Sequence, residues 1–192
     1  MESQKGKIIV VSAPSGTGKT TILKNILQDF PELVFSVSAT TREKRKFEKE
    51  GLDYFFLSEN EFEKKIKNNE FVEWEKFYDY YYGTYKNFIE DNINQGNSVI
   101  AEVDVKGALS LKKIYPQAVL IFIYPPSLEE LESRLKKRKT ENEKEFKKRI
   151  ERAKMELSQK NKFDFCIENN DLGKAIVETE SLIKNIIHKE NS

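Results

Sequence analysis

The sequence predicts an α/β fold: a doubly wound parallel sheet carrying a smaller, inserted β-rich lobe. Three observations lead there. Short apolar runs alternate with segments of helical period, the order that lays parallel strands between two layers of helices. The run Ala118-Val119-Leu120-Ile121-Phe122-Ile123 has the length and unbroken apolarity of a central strand covered on both faces. Between residues 52 and 85 the alternation of strand and helix gives way to aromatic-rich, strand-like stretches, which mark the insertion.

Taken in order, strand one covers Lys7 to Ser12 through the run Ile8-Ile9-Val10-Val11. A helix with Ile22, Leu23, Ile26 and Leu27 on its apolar stripe runs from Gly18 to about Asp29, ahead of Pro31. Leu33 to Ser38 reads as a short strand, and the charge-rich Thr40 to Gly51 as a loop. Asp53 to Leu57 is strand-like. Ser58-Glu59-Asn60-Glu61 is a capping box opening a helix that carries Phe62 and Ile66. Phe71 to Phe77 alternates as a half-buried strand does, and the tyrosine cluster Tyr78, Tyr80, Tyr81 and Tyr82 follows. The α/β order resumes with a helix from Phe88 to Gln95, a buried strand from Ser98 to Val103 closing on Asp104, and a helix from Val105 to Ile114. After the central strand, Ser127-Leu128-Glu129-Glu130 is a second capping box, with a helix to about Lys139. A longer helix carries Phe146, Ile150, Ala153 and Leu157. A strand from Phe163 to Glu168 and an amphipathic helix from Asp171 to His188 complete the pattern.

Strand one leads directly into Ala13-Pro14-Ser15-Gly16-Thr17-Gly18-Lys19-Thr20-Thr21. Strand, glycine loop, Lys-Thr and helix in that order make a phosphate cradle. Backbone N–H groups of the tight loop wrap phosphate oxygens, and the helix N-terminus adds partial positive charge. Lys19 can reach the β- and γ-phosphates of a nucleotide, and the Thr20 hydroxyl can ligate Mg²⁺. Ala13 stands where this pattern usually has a glycine, and a methyl group is the smallest intrusion available there. The fold is therefore expected to be that of the P-loop nucleotide-binding proteins.

Arg42 and Arg45 place two guanidinium groups three residues apart in a predicted loop, and each can hold phosphate oxygens bidentately. Each alone reads equally as a solvated surface charge; Tyr54 and Tyr82 nearby favour a second phosphate site. Here the residues resemble a known family. Ser38-Ala39-Thr40-Thr41-Arg42-Glu43-Lys44-Arg45, Gly51-Leu52-Asp53-Tyr54, Glu70-Phe71-Val72-Glu73-Trp74 and Tyr81-Tyr82-Gly83-Thr84 resemble the GMP-binding segment of guanylate kinases in order and spacing. The loop form with alanine at position 13 also occurs in that family, and the resemblance runs from about Gly6 to Ile187.

The resemblance implies a kinase that transfers the γ-phosphoryl of ATP to GMP, giving ADP and GDP, with Mg²⁺. It implies one domain over 1–192, with a core at about 6–37, 86–126 and 158–190, a GMP-binding lobe at about 38–85 and a helical lid at about 127–157. Arg42, Arg45, Tyr54 and Tyr82 would hold the GMP phosphate, and Glu73, Ser38 and Thr84 would read guanine. Glu102 would contact GMP, and Asp104 would sit beside GMP and the Mg²⁺ that Thr20 also ligates. Ala13 to Thr21 and Asn169 would bind ATP. Lys19, Arg134, Arg138 and Arg149 would act on the transferred phosphoryl group.

The guanine assignment also has its own logic. Guanine offers N1–H and an amino group side by side, and a carboxylate accepts both; adenine offers no such pair. Glu73 could equally be an outward-facing strand residue. The sequence departs from the family in two places: Lys106 stands where glutamine is common, and Lys137 and Lys139 stand where lid glycines are common. The basic stretch from Arg134 to Lys139, continuing to Lys147, Lys148, Arg149 and Arg152, has interleaved glutamates, so a plain solvated helix face is its other reading.

Composition narrows the classes. Thirty-three basic against 32 acidic residues give a formal charge of +1, without the basic excess of a nucleic-acid binder. No run of about 18 apolar residues marks a membrane span. The start of the chain lacks the apolar stretch of a signal peptide. One cysteine, Cys166, excludes an intrachain disulfide and reads as a small core residue. These features point to a complete, soluble, cytoplasmic protein, with a homo-oligomer left open. His188 is the only histidine, so histidine-based catalysis is not expected. Two rivals stand beside the kinase: a catalytically silent binding module of the same fold, and an enzyme of that fold acting on another monophosphate.

Overall fold

A computed structural model describes residues 5–77, 79–137 and 143–188. Five strands form one sheet in the order β2-β7-β1-β8-β9. They are β1 (Ile8–Ser12), β2 (Val34–Ser36), β7 (Val99–Glu102), β8 (Val119–Tyr124) and β9 (Phe165–Glu168). β2 with β7, and β8 with β9, pair in parallel. A second sheet of four strands has the order β4-β3-β6-β5, with β3 (Ala39–Thr40), β4 (Phe55–Phe56), β5 (Phe71–Phe77) and β6 (Tyr80–Tyr85). The chain divides into two compact units. One comprises Met1–Ile9, Glu32–Glu102 and Lys106–Ala118; the other comprises Val10–Pro31, Val103–Val105 and Val119–Ser192.

In the first unit, the small sheet packs Ala39, Phe71, Tyr81 and Tyr85 against Phe62 of helix α2 (Glu59–Lys67). Phe62 is fully buried and stacks on Phe71 and Tyr81 at centroid distances of 4.4 and 5.2 Å. Burying a side chain of that size contributes about 2–3 kcal/mol. The expected capping box is present: the Ser58 hydroxyl accepts from Glu61 N–H, and the Glu61 carboxylate accepts from Ser58 N–H. Helices α3 (Lys86–Asn94) and α4 (Val105–Ile114) continue the chain.

In the second unit, α1 (Lys19–Asp29) buries Ile22, Leu23 and Ile26, and it packs against α7 (Leu172–His188). It stops one residue short of Pro31, because the residue before a proline is driven out of helical geometry. β8 supplies Leu120, Ile121, Phe122 and Ile123, all inaccessible to solvent, as expected of the central strand. α5 (Leu128–Lys137) and α6 (Glu143–Leu157) share a small core of Leu131, Leu135, Ile150 and Ala153.

Several elements differ from the sequence expectation. The strand expected over Leu33 to Ser38 is trimmed to Val34–Ser36, and Thr40, expected in a loop, pairs in β3 instead. A two-residue strand is too short to carry a period. Tyr80, Tyr81 and Tyr82 of the tyrosine cluster pair along β5 opposite Phe77, Lys76 and Glu75, and Tyr78 lies outside the described residues. At the second capping box, the Ser127 hydroxyl accepts from Glu130 N–H as expected, while the Glu130 carboxylate takes Arg134. The last strand begins at Phe165, after a short 3₁₀ turn at Lys160–Lys162.

Candidate functional site

The expected functional residues fall into two constellations, one in each unit. In the second unit, β1 ends at Ser12 and the chain turns through Ala13 to Gly18 before α1 begins. Gly16 and Gly18 have φ of +92° and +90°, backbone that L side chains rarely adopt. Space agrees with conformation: a Cβ at Gly18 would lie 2.6 Å from Asn169 Nδ2, and one at Gly16 would lie 2.9 Å from Leu135 Cδ2. Ala13 is buried where the pattern usually has glycine, so the loop closes with a methyl group in place. Pro14 and Thr17 are buried; Ser15, Thr20 and Thr21 are exposed. The Thr17 hydroxyl donates to Pro14 O at 2.9 Å and ties the turn to itself.

Asn169, just past β9, is buried and donates from Nδ2 to Thr17 O at 2.6 Å. Lys19 Nζ donates to Val103 O at 3.3 Å. That bond ties the lysine to the short segment Val103–Val105, which carries Asp104. The Asp104 carboxylate, a quarter exposed, accepts from Arg152 of α6. Arg134 of α5 donates from Nε to Glu130 at 2.7 Å, and Arg149 lies partly exposed on α6. Arg138, and the Lys139 departure beside it, lie outside the described residues.

The oxygens expected to hold Mg²⁺ are the Thr20 hydroxyl and the Asp104 carboxylate. Mg²⁺ favours hard oxygen donors and binds through one or two carboxylates together with waters and substrate phosphates. The donor chemistry present fits the ion. Among the described residues no group of three or more His, Cys, Asp or Glu side chains is placed to hold a metal.

In the first unit, β5 and β6 set Glu73 opposite Thr84, and the buried Thr84 hydroxyl donates to Glu73 Oε1 at 2.5 Å. A register shift between Phe71 and Glu73 inserts one extra residue in β5. The bulge re-aims the strand. Phe71 and Val72 are both buried, and beyond them Glu73, Glu75 and Phe77 share the half-buried face while Trp74 is 47% exposed. Plain alternation would have left Glu73 on the Phe71 face that packs against Phe62. Glu73 therefore does not face outward.

Arg42 forks onto Glu48, Nη1 to Oε2 at 3.0 Å and Nη2 to Oε1 at 2.7 Å, and its guanidinium lies 5.4 Å from the centre of the Tyr54 ring. Burial alone would push the guanidinium down; the bonds to Glu48 and Tyr82 outweigh it and hold Arg42 above its ordinary value. Glu48 is held below the usual carboxylate range, chiefly by the Arg42 bond. It also accepts from Arg45 N–H at 2.8 Å, while the Arg45 side chain is 72% exposed with its guanidinium 4.0 Å from the same carboxylate. Tyr54 packs edge-on against Tyr82, and burial, with the Glu102 and Tyr82 charges next, pushes its phenol up to about 12. It stays a neutral donor at physiological pH. Ser38 is half-buried between β2 and β3, and its carbonyl accepts from Phe55 N–H. Glu102 is the last residue of β7.

The sequence reading missed Glu48, Arg152 and Glu156. Glu48 and Arg152 sit in stretches of alternating charge, where nothing but the fold says which charge is partnered. Lys106, the departure from the family pattern, lies with Nζ 3.7 Å from Glu75 Oε1, three-quarters exposed.

Comparison with known proteins points to a single family. Residues 5–186 match the family model described as guanylate kinase. The chain is 45% identical over 180 residues to a guanylate kinase of Caldanaerobacter subterraneus subsp. tengcongensis, covering 94% of this chain and 87% of that protein. It is 50% identical over 173 residues to one of Chlorobaculum tepidum, covering 90% and 89%. A crystal structure of guanylate kinase from Anaplasma phagocytophilum superposes with a TM-score of 0.78 at 33% identity, over 98% of this chain and 90% of that one.

Proposed function

This chain belongs to the guanylate kinase family and is a nucleoside monophosphate kinase that phosphorylates GMP with ATP, and we propose that the two constellations divide the work between the substrates. The first unit takes GMP: Arg42, Arg45, Tyr54 and Tyr82 on its phosphate, Glu73, Thr84, Ser38 and Glu102 toward its base. The second takes ATP on Ala13 to Thr21 with Asn169 bracing the loop, and Arg134, Arg138 and Arg149 serve as lid arginines. The ranges 38–85 and 127–157 act as the GMP lobe and the lid.

The observation that carries the reading is Glu73 braced by Thr84. A carboxylate has about four acceptor positions, so one hydroxyl fixes its orientation without exhausting it. It can then accept both guanine donors. A site built for two donors rejects a base that lacks them by up to about 10⁴-fold, because its buried acceptors go unpaired.

The chemistry needs no general base. An oxygen of the GMP phosphate is already anionic and attacks the γ-phosphorus in line as ADP leaves. Catalysis is then positioning and charge neutralisation. Lys19 and the lid arginines hold the oxygens of the moving group, and the phenol hydroxyls of Tyr54 and Tyr82 donate to the GMP phosphate. Thr20 and Asp104 would hold Mg²⁺, which supplies charge stabilisation at the β- and γ-oxygens when bound. The setting is cytoplasmic, where both nucleotides are at hand.

The test is ADP release with ATP and Mg²⁺, comparing GMP, AMP, CMP and UMP at equal concentration. Release that depends on GMP and is far weaker with AMP is expected. Silence with every nucleotide from protein that still binds GMP would sink the kinase and leave a binding module.

A further inference from the structure

Arg152 is not one of the residues expected in the site, yet it is bonded to two carboxylates on different parts of the second unit. Its Nε donates to Glu156 Oε1 at 2.8 Å, and its Nη2 donates to Asp104 Oδ2 at 2.5 Å. The two bonds differ in kind. Glu156 lies one helical turn along the same helix, so that bond is internal to α6 and travels with it. Asp104 lies 48 residues away in sequence, and that bond ties α6 to the segment following β7. Burial also ranks the partners. The Glu156 side chain is 9% exposed and Asp104 is 25% exposed. A carboxylate as enclosed as Glu156 is costly to strand without its cation, whereas Asp104 reaches water.

We propose that Arg152 is a positioning residue that holds the Asp104 carboxylate in the nucleotide-free protein and yields it when Mg²⁺ and ATP arrive, remaining on α6 through Glu156. The inference rests on the reading that Asp104 belongs to the Mg²⁺ site. A guanidinium bonded to that carboxylate occupies one of its oxygens and sets a positive charge against an incoming cation. Both effects raise the Mg²⁺ concentration needed to fill the site. Arg152 is thereby a brake on metal loading, and Glu156 is the seat to which it withdraws.

The experiment is a Mg²⁺ titration of ATP binding by calorimetry, without GMP, so that no turnover enters. Arg152→Ala should need about three- to tenfold less Mg²⁺ for half-maximal tightening, and Arg152→Lys should fall between Arg152→Ala and the unaltered protein. Glu156→Gln should need more, because the guanidinium then loses the charged seat on α6 to which it withdraws. A paired Arg152→Gln, Glu156→Gln protein leaves no stranded charge and should show the same downward shift if the alanine variant fails to fold. An unshifted Mg²⁺ midpoint in a folded Arg152 variant overturns the proposal, since a purely structural role would move melting temperature alone. Asp104→Asn separates the two levels: a Mg²⁺ dependence that survives it removes Asp104 from the metal site and takes the proposal with it, while the GMP-dependent ADP release of the unaltered protein would stand.

Discussion

Glu48 and Arg42 illustrate how single residues decide the behaviour of the GMP constellation. Their fork holds the guanidinium against the Tyr54 ring, so the phosphate proposed to bind there would meet a group already oriented. The folded pKa of Glu48 lies below its unfolded value. The stability this gives is complete above the ordinary glutamate pKa of about 4.3 and is lost as pH falls through the lower folded value. Glu48→Gln should therefore flatten the acid limb of an unfolding curve followed from pH 6 to 3; an unchanged limb would show the pair contributes nothing. Glu73→Gln should lower kcat/KM for GMP by about 10²-fold while leaving the ATP KM within about twofold, read from steady-state kinetics. Lys19→Ala should cut kcat by about 10³-fold with an unchanged melting temperature, in line with the loss of one preorganised cation. At this scale legibility was uneven. Lys19, Thr20 and the glycines were evident because the loop chemistry fixes their spacing. Glu48, Arg152 and Glu156 were not, because a charge in a charged stretch names no partner until the chain is folded.

Elements were legible where period and length agreed. β1, β8, α1 and α7 each carry an apolar pattern of sufficient length, and their ends fall within a residue or two of expectation. β3 was hidden by its brevity, and the bulge in β5 by the fact that one extra residue leaves no compositional mark. That bulge is what turns Glu73 to the half-buried face. The capping box of α2 offers a control remote from chemistry: Ser58→Ala should cost about 1 kcal/mol in denaturant unfolding with kcat unchanged. Gly18→Ala attacks an element junction instead. It sets a methyl group against Asn169 at a φ of +90°, so weakened ATP binding and a destabilisation of about 1–3 kcal/mol are expected together.

Across the whole molecule, the residues proposed for GMP fall in one compact unit except Asp104, which falls with those proposed for ATP and metal in the other. Hydrogen exchange should register this division. GMP alone should protect amides of β3 and β6, and a non-hydrolysable ATP analogue should protect the loop before α1; equal protection of both by either ligand would contradict it. The overall fold was the most legible level of all, because the alternation of strands and helices leaves few topologies open. The bond from Asn169 to Thr17 then bears on how the protein is made. It joins residues 152 apart, so the phosphate cradle is held by a side chain that is synthesised long after the loop itself. At about 5–20 residues per second, a ribosome needs about 8–30 s to travel between them. For that interval the nascent chain carries the loop sequence without the side chain that closes it.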